Sequence, residues 1–140
     1  MATNIPFLTR LMPNVLSKIL LIGLAGFIGT LLRYWLSGEV AKRFGETFPL
    51  GTLIVNALGC FLAGVLFYFT YERFLATPTT RAVIFFGLLG GFTTFSSYGL
   101  QTFTLLRDGE VALALLNVAL SNIAGVFLVW SGYKLAGLIV

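Results

Sequence analysis

The sequence predicts an all-α integral membrane protein of four transmembrane helices. Of its 140 residues, 58% are hydrophobic and only 10% are charged, and the mean hydropathy is +0.97. A soluble domain carries about 25% charge. Four apolar stretches, at about 19–36, 51–71, 82–106 and 111–135, approach or exceed the roughly 20 residues needed to cross a bilayer. Short polar turns separate them, and short links favour antiparallel neighbours. Helices satisfy their own backbone in lipid, so helices are the expected spanning elements.

The elements follow in order. Residues 1–17, with Pro6, Arg10 and Pro13, read as an N-terminal tail, frayed or interfacial. Residues 18–140 read as a single four-helix transmembrane domain. The first span is interrupted only by Arg33; Lys18 ahead of an apolar stretch fits a cleaved signal peptide, against which stand the length of the span and the want of an obvious cleavage motif. Glu39–Pro49, rich in charge and ending in proline, reads as an exposed loop. Glu72–Arg81, with Pro78 and Thr79-Thr80, reads as a turn before the third span. Arg107-Asp108-Gly109-Glu110 is a tight polar turn into the fourth.

Composition excludes several classes. There is no His and a single Cys, Cys60, so neither an internal disulfide nor a His/Cys metal cluster forms. The net charge of +4 is scattered and makes no nucleic-acid surface. No Asp or Glu lies deep in a span, which argues against proton-coupled transport and acid–base catalysis. Lys and Arg split nearly evenly: Arg10, Lys18, Arg73, Arg81 and Lys134 on one side, against Lys42, Arg43, Arg107 and the end-lying Arg33. Either the orientation rule is weak on this chain, or it inserts both ways and pairs as an antiparallel dimer. Four packed helices leave no wide hole. Any conduction path then lies in surface grooves or between subunits.

Neutral polar groups carry the functional signal. Asn56 lies on a small-residue face with Gly59, Cys60 and Gly64. It either bonds a neighbouring helix or presents its amide N–H to an anion. In the third span Gly87, Gly90 and Gly91 precede Thr93, Thr94, Ser96 and Ser97, which is poor helix material. A break at Gly90–Thr94 frees backbone groups for ions; the other reading is a kink with hydroxyls bonded back to their own carbonyls. Phe95 and Tyr98 share a helical face. Such a pair is ordinary core, or a pore rim whose positive ring edges suit a small anion. Asn117, Ser121 and Gly125 recur every four residues as a polar stripe, for interhelical bonding or for an ion path. Arg33 either snorkels or raises anion concentration at a vestibule.

Gly-Gly-Phe-Thr-Thr-Phe-Ser-Ser-Tyr at 90–98, Gly-Thr-Leu-Ile-Val-Asn-Ala-Leu-Gly-Cys at 51–60 and Gly-Thr-Leu-Leu-Arg-Tyr at 29–34 resemble the Fluc (CrcB) family of fluoride channels. The resemblance runs from about Lys18 onward. It implies a dual-topology, antiparallel homodimer with two pores, exporting fluoride passively across the cytoplasmic (inner) membrane of a microbe. It implies a structural sodium ion at the dimer interface, on the carbonyls of Gly90 and Thr93, and no organic cofactor. The pore asparagine falls on Asn56 and the first pore phenylalanine on Phe95, with Thr94 and Ser97 as further pore hydroxyls. Three positions depart from the pattern. Tyr98 replaces the second phenylalanine, Gln101 stands where Glu is frequent, and Asn117, followed by Ser121, replaces the tyrosine that begins the fourth-span track. The rival readings are a small multidrug-type exporter, which needs a carboxylate in the first span, and a non-transporting accessory subunit packed by glycines.

Overall fold

The computed structural model describes residues 5–139, with side chains from Asn14 onward. Residues 1–4 and the Arg10 side chain lie outside that range. Among the described residues, four helical segments are long and apolar enough to cross a membrane: Asn14–Phe44, Leu50–Glu72, Pro78–Arg107 and Val111–Ile139.

Helix α1 runs from Ile5 to Phe44, so the backbone of most of the predicted tail is helical, and so is the first half of the predicted Glu39–Pro49 loop. Its stop is local. Lys42 and Arg43 occupy the last turn, where cations suit the carbonyl end, and Gly45 follows at φ +78. The Gly45 N–H closes on the Ala41 carbonyl at 2.8 Å. Helix α2, Leu50–Phe67, starts after Pro49 and continues into a π-helical turn at Tyr68–Glu72, with the Arg73 N–H reaching the Tyr68 carbonyl. The third span opens with the short α3, Pro78–Ala82, capped by Thr77 Oγ1, which accepts from the Thr80 N–H. A π-helical stretch, Val83–Leu89, leads into α4, Gly90–Phe92. Thr93 and Thr94 are extended (φ −87, ψ 159 and φ −150, ψ 115), and α5 then runs from Phe95 to Arg107. A turn with Gly109 at φ +83 leads into α6, Val111–Ile139.

Two helix pairs build the bundle. Helix α1 lies against the π-helical stretch and α4, while α2 lies along α6. Glycines let both crossings close. A Cβ at Gly29 would strike the Leu88 carbonyl oxygen, and one at Gly91 the Gly26 carbonyl oxygen. Without a hydrophobic drive between helices in lipid, such close backbone packing is the main source of association. Among the described residues the fully buried large side chains are Val55 and Asn117. Large apolar residues instead cover the outside, from Val15 to Leu32 on α1 and from Leu115 to Trp130 on α6. That surface fits lipid or a second protein.

A Cβ added at Gly23 would meet nothing within 4 Å, and the residue is exposed on α1. Gly23→Ala is therefore expected to leave the melting temperature in detergent unchanged or raised, because alanine is the better helix former by about 1 kcal/mol.

Candidate functional site

The interruption of the third span organises the site. Asn56, on α2, grips the backbone of Thr94 from both sides. Its Nδ2 donates to the Thr94 carbonyl at 3.0 Å, and its Oδ1 accepts from the Thr94 N–H at 2.8 Å. The two bonds also fix which end of the amide is which. Helix α2 makes room for this approach through Gly59, where any Cβ would overlap the Thr93 methyl. One Nδ2 hydrogen of Asn56 remains uncommitted.

The clamp has consequences along the chain. The Thr94 N–H would bond the Gly90 carbonyl in a continuous helix; here it bonds Asn56. The Ser97 N–H would bond the Thr93 carbonyl; here it bonds Thr94 Oγ1 at 3.2 Å, which caps α5. The carbonyls of Gly90 and Thr93 thus both lose their helical donors. The intervening Gly91 carbonyl is held by Arg33 Nε at 3.1 Å. Arg33 therefore bonds the third span rather than only reaching for solvent. Thr93 Oγ1 donates back to the Leu89 carbonyl at 2.9 Å, as expected of a threonine at a distorted helix end.

Two cavities flank the interruption, and Thr94 is the residue common to both linings. The first, about 570 Å³, is lined by Arg33, Glu46, Thr52, Ser97, Gln101 and Thr104 among others. The second, about 420 Å³, is lined by Asn56, Cys60, Gly90, Thr93, Phe95, Tyr98, Ser121 and Asn122 among others, and no charged side chain lines it. The Phe95 and Tyr98 rings sit 5.4 Å apart with their planes at 49°. Phe95 is 81% exposed on the single chain.

The structure therefore brings together Asn56, Thr94, Phe95, Tyr98 and Ser121 around one cavity, with Gly90 and Thr93 at its edge. Arg33, Ser97 and Thr94 meet at the other. Asn117 borders neither. It is only 2% exposed, and its Nδ2 donates to Thr102 Oγ1 at 2.9 Å, while Thr102 donates to the Tyr98 carbonyl at 2.8 Å. Two polar partners escaped the sequence reading, Thr102 and Asn122. Asn122 sits beside Ser121, outside the four-residue stripe. The need of a tyrosine hydroxyl for a partner was the available signal.

Among the described residues no group of three or more His, Cys, Asp or Glu assembles to hold a metal. Oxygen ligation by backbone remains chemically suitable for a hard cation. The freed Gly90 and Thr93 carbonyls are oxygen donors of that type.

A profile of the family described as "CrcB-like protein, Camphor Resistance (CrcB)" matches residues 20–133. A protein of Citrifermentans bemidjiense named "Fluoride-specific ion channel FluC" is 42% identical over 86% of this chain and 98% of its own length. Proteins of the same name from Opitutus terrae and Aquifex aeolicus are 46% and 42% identical, over 84% and 81% of this chain and 91% and 92% of their own. Those relatives are named as channels, not enzymes. With four membrane-crossing segments and matches over most of its length, the chain is a multi-pass membrane protein and belongs to the CrcB-like family.

Proposed function

We propose that the protein is a fluoride-selective channel, formed by two copies in opposite orientations in the cytoplasmic membrane and allowing passive export of the ion. The observation that carries this is the second cavity. It is lined by neutral donors and aromatic rims, and it lies at a backbone interruption that Asn56 holds open. Relatives named as fluoride-specific channels support the same ion.

The chemistry suits a small, strongly hydrated anion. A fixed positive charge inside the path would bind such an ion too tightly for release. In this reading the charge of Arg33 stays at the first cavity, where it raises the local anion concentration. Thr94 and Ser97 begin to replace water. The uncommitted Asn56 N–H and the ring edges of Phe95 and Tyr98 continue that exchange. Ser121 receives the ion on α6, and Asn117 supports α5 from behind through Thr102.

The exposed Phe95 and the two freed carbonyls per chain favour a second copy against this face. The residues present fit a structural sodium ion: Gly90 and Thr93 of each copy would hold it through carbonyl oxygen. A cation bound there would balance the partial negative charge of those carbonyl oxygens.

A multidrug-type exporter is not favoured. The acidic residues Glu39, Glu46, Glu72, Asp108 and Glu110 all lie at helix ends or in turns. Efflux from liposomes decides the reading. Vesicles loaded with potassium fluoride and opened to potassium by an ionophore are expected to release fluoride, while chloride-loaded vesicles stay sealed. Vesicles sealed to fluoride overturn it.

A further inference from the structure

The Tyr98 hydroxyl has a defined partner. Asn122 Nδ2 donates to the hydroxyl oxygen at 3.2 Å and to the Val118 carbonyl at 2.8 Å. A carbonyl cannot donate, so the amide atom facing Val118 is the nitrogen and the flip is settled. An amide nitrogen has two hydrogens, and both are now committed. The Tyr98 oxygen is therefore the acceptor in the first bond, and its own hydrogen is left for another group. Both residues line the uncharged cavity, with Asn56, Thr94, Phe95 and Ser121. A hydroxyl that accepts one hydrogen bond donates the next more strongly.

We infer that Asn122 is a positioning residue that holds the Tyr98 hydroxyl as an anion-binding donor in the second cavity. The inference rests on the fluoride-channel reading and deepens it. A phenylalanine at this place offers only its weakly positive ring edge. Tyr98 offers a full hydrogen bond with no formal charge, and Asn122 occupies the lone pair that would otherwise face the ion. The competing account is that Asn122 serves its own helix through the bond to Val118, four residues earlier.

The test compares fluoride efflux from liposomes carrying the unaltered protein, Tyr98→Phe, Asn122→Leu and the double substitution. Each single change is expected to slow fluoride efflux about tenfold, as for the loss of one hydrogen bond to a charged group. The double variant is expected to be no slower than Tyr98→Phe alone, because Asn122 acts only through the hydroxyl. Equal slowing by Asn122→Leu in both backgrounds assigns it a purely structural role and overturns the inference. Unchanged efflux in Tyr98→Phe overturns it whatever the Asn122 variants do, including the case in which they fail to fold. Unaltered protein that passes no fluoride overturns the channel reading itself, and this role with it.

Discussion

In Asn56→Leu, fluoride efflux is expected to fall by about 100-fold or more, while the purified protein still elutes as a single species. The leucine removes both bonds to the Thr94 backbone. Neither group has a helical partner to return to, because Thr93 and Thr94 are extended. Thr94 is half-buried, and leaving its backbone groups unpaired costs up to about 1–3 kcal/mol, the range for a buried polar group. A change of about 2.7 kcal/mol in a barrier is a factor of about 100 in rate. Asn56→Asp separates geometry from charge. The carboxylate still accepts from the Thr94 N–H but has no hydrogen for the Thr94 carbonyl or for an anion. It also places a negative charge on the lining of the second cavity. It is expected to be as silent as the leucine variant. Efflux at the unaltered rate in Asn56→Asp would show that Asn56 is not on the path.

The largest loss of stability is expected from Gly64→Leu. A Cβ at Gly64 overlaps the Val129 carbonyl oxygen and lies 2.9 Å from the Tyr133 nitrogen. Across the same crossing, a Cβ at Gly132 overlaps the Phe61 carbonyl oxygen. Every one of these obstacles is backbone, so no side chain can swing aside. Helices α2 and α6 would have to separate, and their contact is the most extensive in the bundle. Overpacking typically costs about 1–3 kcal/mol, and a leucine against backbone belongs at or above the top of that range. The expected result is aggregation or early elution on size exclusion, with a lowered melting temperature in whatever fraction remains soluble. A Gly64→Leu protein that elutes and melts like the unaltered one would mean that the α2–α6 crossing is looser than the structure shows. Gly23→Ala is the matched control, because that glycine faces open space.

Much of the fold was legible because a membrane span is specified by composition over a length, and both are local. The ends of the spans were less so. Charged residues at Glu39–Arg43 signalled a loop, yet the helix continues to Phe44. Charge marks where a helix leaves lipid; Gly45 in the left-handed region marks where the helix itself ends. The π-helical turns at Tyr68–Glu72 and Val83–Leu89 carried no recognisable signal. A Cβ at Gly87 would crowd the Ala25 methyl and the Ile22 carbonyl oxygen of α1, a closeness set by how the helices meet.

The candidate site divides in the same way. From its order of residues alone the chain determined its four apolar spans and the absence of deep carboxylates; its run of glycines and hydroxyls pointed to a wider break at Gly90–Thr94, whereas Gly90–Phe92 and Ser96–Ser97 are helical and only Thr93 and Thr94 are extended. Tertiary structure alone decided that Asn56 spends its amide on Thr94, 38 residues away, that Asn117 turns inward to Thr102, and that Asn122 reaches Tyr98. Hydropathy and helix propensity act between near neighbours in sequence, so they can be read along the chain. A side-chain hydrogen bond is chosen by which backbones the glycines allow to touch, and that is settled only when the helices pack.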